Sequence, residues 1–202
     1  MKVQLEKTFQ LPASAEIAWT LLQEIEAVAG CMPGARITER IDATHYKGMV
    51  TVKLGPATMS FRGEVEVMAV EASSKTLRLL GKGTDNTGTS AAAMDLTARI
   101  DAAGPQACNL VGTSEVSMSG KAATFGGRMM GAVADQVLQQ FAANFAARVR
   151  ELQEQRGDGP GSAASQPPAA APAAPTAPLN GLALLRTLIA NWLRSLFSAR
   201  NT

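Results

Sequence analysis

Three side chains in this sequence are rare enough, and reactive enough, to be weighed singly: Cys31, Cys108 and His45. A thiolate nucleophile needs a neighbouring base, and a zinc site or dithiol redox centre needs paired ligands such as CxxC. Neither cysteine has another within reach along the chain. With one histidine in 202 residues, a two-histidine metal site is excluded. A Ser-His-Asp or Cys-His arrangement would have to run through that single imidazole. His45 stands in ATHYKG, where a strand pattern begins, and reads as a strand-edge residue, because a general base needs both a nucleophile and an orienting partner.

Cys31 stands in GCMPGA, residues 30–35. The helical spacing before it stops at Gly30, and the Pro33-Gly34 pair turns the chain toward the next strand. In that corner Cys31 reads as a small hydrophobe. The glycine-rich GKGTDNTG, residues 81–88, lacks GxGxxG spacing and is followed by a strand, so it reads as a hairpin and not a phosphate loop.

The elements around these residues follow from hydrophobic period. Val3, Leu5, Phe9 and Leu11 alternate as in a half-buried strand, ended by Pro12. Ser14 is placed to N-cap a helix carrying Ile17, Ala18, Leu21, Leu22, Ile25, Val28 and Ala29 on one stripe. Strands are predicted over 36–42, 45–54, 58–71, 76–83, 88–101 and 107–119, spaced as an antiparallel meander. A long helix over 124–155 then carries Met130, Val133, Ala134, Val137, Leu138, Phe141, Phe145, Val149 and Leu152 on one stripe. Seven strands that curl around a closing helix make an α+β layer.

Phase within the strands sorts the faces. Met59, Phe61, Val65 and Val67 share one face; so do Ala92, Met94, Leu96, Ala98 and Ile100, and so do Leu110, Gly112, Val116 and Met118. Methionines and small residues on these faces fill irregular cores, and collectively they also suit a cavity for a large apolar guest. A cavity reading takes Met59, Phe61, Met94, Leu96, Leu110, Met118, Phe125, Met130, Val133, Val137 and Phe141 as its lining. A cyclase or hydrolase in the same cavity would need an inward acid or base, and these faces show mainly Met, Ala, Gly, Leu and Val.

Composition bounds the partners. Hydrophobic residues make up 46% of the chain, enough for one core with an appendage. The opening MKVQLEKTFQLP has no unbroken apolar run, so a cytoplasmic start is expected. Of 19 Lys and Arg all but Arg186, Arg194 and Arg200 precede residue 157, as do all but Asp158 of 17 Asp and Glu. Residues 1–156 are therefore neutral, with neither the basic face nor the stacking aromatics of a nucleic-acid binder. Residues 157–178 are rich in Pro and Ala without hydrophobic period, a linker that could reach on the order of 60 Å.

Residues 179–202 carry an amphipathic pattern. Leu182, Leu185, Leu188, Ile189, Trp192, Leu193, Leu196 and Phe197 cover half of a helical wheel, with Arg194 on the polar side and Arg186 on the flank. The arginines penalise spanning, so the segment is expected to lie on an anionic membrane surface. Docking in a partner's groove is the alternative for the same periodicity.

PASAEIAWTLL with CMPGA, then YKGMVTVKLGP, FRGEVEV, GKGTDNTG and VSMSGKAATFGGRMM, resembles the carbon monoxide dehydrogenase G-subunit family of the START-like, polyketide-cyclase helix-grip superfamily, over about residues 1–150. The resemblance implies a curved antiparallel sheet gripping a C-terminal helix with an apolar cavity between them. It also implies a cavity rim near the Cys31 loop, with Cys31, Met32, Pro33 and Gly34; Gly126 and Gly127 suit either close passage to the sheet or a hinge at the cavity mouth. Its implied guest is a quinone, and its implied partner a molybdenum hydroxylase of the carbon monoxide dehydrogenase type. Together with the tail, it implies a non-enzymatic carrier and recruiter at the cytoplasmic face of a bacterial cell membrane.

Overall fold

The computed structural model describes residues 1–156 apart from Pro56; the linker at 157–178 and the amphipathic segment at 179–202 lie outside the described residues. Strand β1 (Lys2–Leu11) alternates in burial along its length, as its sequence alternates. Helix α1 (Ala15–Gln23) starts where Ser14 Oγ accepts the Ile17 backbone N–H at 3.4 Å, and it buries Ile17, Ala18, Trp19, Leu21 and Leu22.

The single helix expected up to Gly30 is in fact two. The backbone breaks at Glu24 (φ −85°, ψ 83°), and α2 (Ile25–Cys31) continues through Gly30. The apolar spacing runs across the break because Leu22 and Ile25 are both buried, so period alone does not register it. Cys31 is thus the last helical residue and does not follow the helix. The turn comes at Gly34, whose φ is +77° and where a Cβ would run into the Thr51 carbonyl oxygen.

Six further strands follow: β2 (Ala35–Arg40), β3 (His45–Leu54), β4 (Ala57–Glu71), β5 (Thr76–Asp85), β6 (Ser90–Gly104) and β7 (Ala107–Gly120). All pair antiparallel in the order β1-β7-β6-β5-β4-β3-β2. A 3-10 turn (Lys121–Phe125) leads into α3 (Gly126–Gln155).

Register confirms the inward faces and explains the curvature. One inward row runs Gly48, Gly63, Gly83, Ala92 and Met118 across five strands. A Cβ at Gly63 would meet the Lys82 carbonyl oxygen, and one at Gly48 would stand 2.9 Å from the Arg36 carbonyl oxygen. The glycines of this row thus permit a tight bend more than they leave room. The outward face carries ion pairs such as Lys2–Glu115 and Arg78–Asp95, each at 2.8 Å.

The packed core lies toward one end of the grip. There α1, α2 and the C-terminal half of α3 cover Leu77, Leu79, Ala98, Ile100, Cys108 and Leu110. Helix α3 runs nearest to β1 and β3, on either side of the curved sheet, and to α1 and α2.

Candidate ligand-binding site

The two halves of α3 meet different surroundings. Phe141, Phe145 and Val149 are buried in the core, with the two rings 5.7 Å apart. One to two turns earlier, Val133 and Val137 keep part of their surface accessible, and a Cβ on Gly131 would meet nothing within 4 Å. On the facing sheet Met59, Met94, Leu96, Val116 and Met118 point inward yet are only half-buried. Gly112, paired with Ala98, also has open space where its Cβ would be. Inward apolar side chains that stay accessible, beside Gly112 with open space where its Cβ would be, leave room between sheet and helix here.

Lys7, in register with Gly112, reaches Asp135 of α3 at 2.9 Å and ties the helix to β1 at this level. At the start of α3, Met129 is 39% exposed, and a Cβ on Gly55 of the β3–β4 hairpin would lie 3.8 Å from its Cε. Phe61 and Met130 are buried outside the main core, and Phe125 is half-buried.

Of the eleven lining residues named from sequence, Met59, Met94, Leu96, Met118, Phe125, Val133 and Val137 keep accessible surface. Leu110 and Phe141 belong to the packed core. The named rim residues do not meet. Asn144 Nδ2 donates to the Cys31 carbonyl at 2.9 Å, and Asn144 is about 26 Å of helix rise from Gly127. Cys31 instead lines a groove of about 400 Å³ between α2 and α3, with Ala27, Gly30, Asn144, Ala147, Arg148 and Glu151. A second groove, about 370 Å³, follows β2 beside α2, and neither borders the open inner face. Gly126 does not pass close to the sheet: a Cβ there meets nothing within 4 Å, and its φ of +78° is what the turn into α3 requires.

The reactive groups are held in structural roles. Burial raises both thiols, Cys108 to about 11, which removes thiolate character near neutral pH. His45 opens β3, and its Nδ1 lies 3.0 Å from both Asp42 carboxylate oxygens and 3.0 Å from Thr44 Oγ1. A proton relay needs hydroxyl and carboxylate on opposite ring nitrogens; here both crowd the same one, so the cluster caps a turn. Its Asp42 hydrogen bond, then the charges of Asp42, Glu66 and Glu64, raise the imidazole above its ordinary value. Asp42 is held well below the carboxylate range, first by the Thr44 N–H and then by His45.

Asp85, in GKGTDNTG, accepts from Thr87 Oγ1, from the Ser90 N–H at 2.6 Å and from the Thr87 N–H at 3.2 Å. Ser90 Oγ in turn accepts the Ala122 N–H at 3.0 Å, so the stretch is a hairpin clamped to the 3-10 turn. Among the described residues no group of three or more His, Cys, Asp or Glu is placed to hold a metal, and no helix is long and apolar enough to cross a membrane.

Sequence reasoning passed over one polar residue of the inner face. Ser114 shares the phase of Leu110, Gly112 and Val116 and pairs with Leu5 and Leu96. Its Oγ is buried with no hydrogen-bond partner among the described residues. The strand phase was the signal that could have found it.

The family model of the carbon monoxide dehydrogenase G subunit (CoxG) matches residues 8–150. The chain belongs to the CoxG family. The solved structures that share the fold of this CoxG-family chain include these three. A conserved protein from Geobacillus kaustophilus has 19% identity and a TM-score of 0.67, covering 74% of this chain and 96% of its own. The Zhui aromatase/cyclase from Streptomyces sp. R1128 has 14% identity and a TM-score of 0.56, covering 79% and 99%. A START superfamily protein from Mycobacterium smegmatis has 19% identity and a TM-score of 0.52, covering 74% and 98%. No curated protein matches the chain. The CoxG assignment and these neighbours bear out the helix-grip fold expected from sequence.

Proposed function

We propose that this CoxG-family protein is a non-enzymatic carrier that encloses a hydrophobic molecule between its sheet and the N-terminal half of α3. The observation that carries the reading is the accessible inward face at Met94, Leu96, Val116, Val133 and Val137, with open space at Gly112. Concave apolar space of this kind is where small-molecule sites form. The family and the fold support ligand binding, and an aromatase/cyclase with the same fold handles a small molecule by its name. A carrier reading fits this inner face better than a cyclase reading, since His45, Asp85 and both thiols are committed elsewhere.

The partner we assign is a molybdenum hydroxylase of the carbon monoxide dehydrogenase type, which the family name supports, and the guest an isoprenoid quinone, which rests on the sequence resemblance alone. The arginine-bearing amphipathic pattern of 179–200 supports placing the protein on the cytoplasmic membrane surface, where a reduced quinone would pass its electrons on. Organic extraction of the purified full-length protein followed by mass spectrometry is expected to release a quinone in near-stoichiometric amount. Protein that carries no apolar molecule and takes none up from a panel of quinones and lipids sinks the reading.

A further inference from the structure

Along the inward phase of β7, from Cys108 to Met118, every residue is apolar except Ser114, and Lys7 of neighbouring β1 is already paired with Asp135 of α3. The Ser114 hydroxyl lies in a row between Leu5 and Leu96, two residues from the open space at Gly112 and two from Val116. The Oγ makes no hydrogen bond among the described residues and is covered in its present rotamer, while the residue as a whole keeps accessible surface. A buried hydroxyl without a partner is unfavourable, and native structures leave few of them. No hydrogen bond holds the side chain where it is. A rotation of about 120° about χ1 moves a serine hydroxyl to a different side of its Cβ, and such rotations are fast.

We propose that Ser114 is the polar contact that selects and orients the guest: its hydroxyl donates to an acceptor oxygen, of the carbonyl class, on an otherwise apolar molecule. This rests on the carrier reading above and adds to it the residue that contacts the guest's head group and where that group sits. The carbonyl end lies over β7 near Gly112, at the level where Lys7 and Asp135 tie α3 to β1. The apolar remainder extends along Met94, Leu96 and Val116. A pure hydrocarbon of equal size gains only the apolar contacts and leaves the hydroxyl unpaired; Lys7 and Asp135 already satisfy each other, so discrimination between the two falls on Ser114.

The test uses the delipidated full-length chain and two probes of nearly equal shape, 2-methyl-1,4-naphthoquinone and 2-methylnaphthalene, with affinities read by equilibrium dialysis. Wild type is expected to prefer the quinone. Ser114→Ala lowers that preference about three- to ten-fold, with hydrocarbon affinity unchanged and a melting temperature no lower than wild type. Ser114→Thr, which keeps the hydroxyl, retains the preference. An unaltered preference in Ser114→Ala, or an equal weakening of both probes, overturns the role of Ser114 and leaves the carrier reading standing. Binding of neither probe by wild type overturns the chamber, and the Ser114 assignment with it.

Discussion

Cys108 is 1% exposed between Leu11 and Ala102 on the neighbouring strands, and burial alone pushes its thiol to about 11. Cys31 is raised too, by burial first and against the opposing charge of Arg148. Native protein at mildly alkaline pH is therefore expected to resist a thiol-reactive disulfide reagent, with both cysteines reacting once urea unfolds the chain. Fast labelling of either in the native state would show that burial does not govern it. His45 is also raised, but there the shift favours the charged form. Its folded value is raised by Asp42, so the folded state holds the proton more tightly than the unfolded chain does. The pair therefore adds stability below the ordinary imidazole value of about 6.5, and the contribution is lost as pH rises through the folded value. An NMR titration of the single imidazole should give a midpoint above the ordinary one, and Asp42→Asn should return it toward that value.

Helix α3 carries one stripe in sequence but two environments in space. Phe145 is fully buried, and Phe145→Ala is expected to cost about 3–5 kcal/mol by urea unfolding. Val137, on the same stripe over the open part, is only half-buried, and Val137→Ala should cost under about 1 kcal/mol. Similar losses at both positions would mean a uniformly packed interior and no chamber. The strands and their inward phases were legible because a period of two is local and each residue's face follows from its neighbours. The break at Glu24 was not legible, since the apolar spacing of Leu21, Leu22 and Ile25 continues through it. The glycine row Gly48–Gly63–Gly83 has meaning only through the register of three strands, which no local window contains.

At the scale of the whole molecule, charge divides at the Pro- and Ala-rich stretch. Residues 1–156 balance acids and bases, while Arg186, Arg194 and Arg200 leave the last segment basic. Full-length protein is expected to float with anionic liposomes, reversibly and less at high salt, through Trp192, Leu193, Leu196 and Phe197. A chain ending at Arg156 should stay at the bottom of the gradient. Equal flotation of the two would remove the anchor from the proposal while leaving the chamber untouched.

Sequence by itself determined the order of the strands, the apolar face of each, the hairpin at GKGTDNTG and the packing of Cys31 as a small hydrophobe, because each depends on periods and turn residues a few positions long. Only the tertiary structure decided where the interior is filled and where it stays open. Methionine, valine and alanine suit a packed core and a chamber wall equally well. Which they become depends on how far the strands bend at Gly63 and on where α3 rests across the sheet, close to β1 and β3 and away from Gly112.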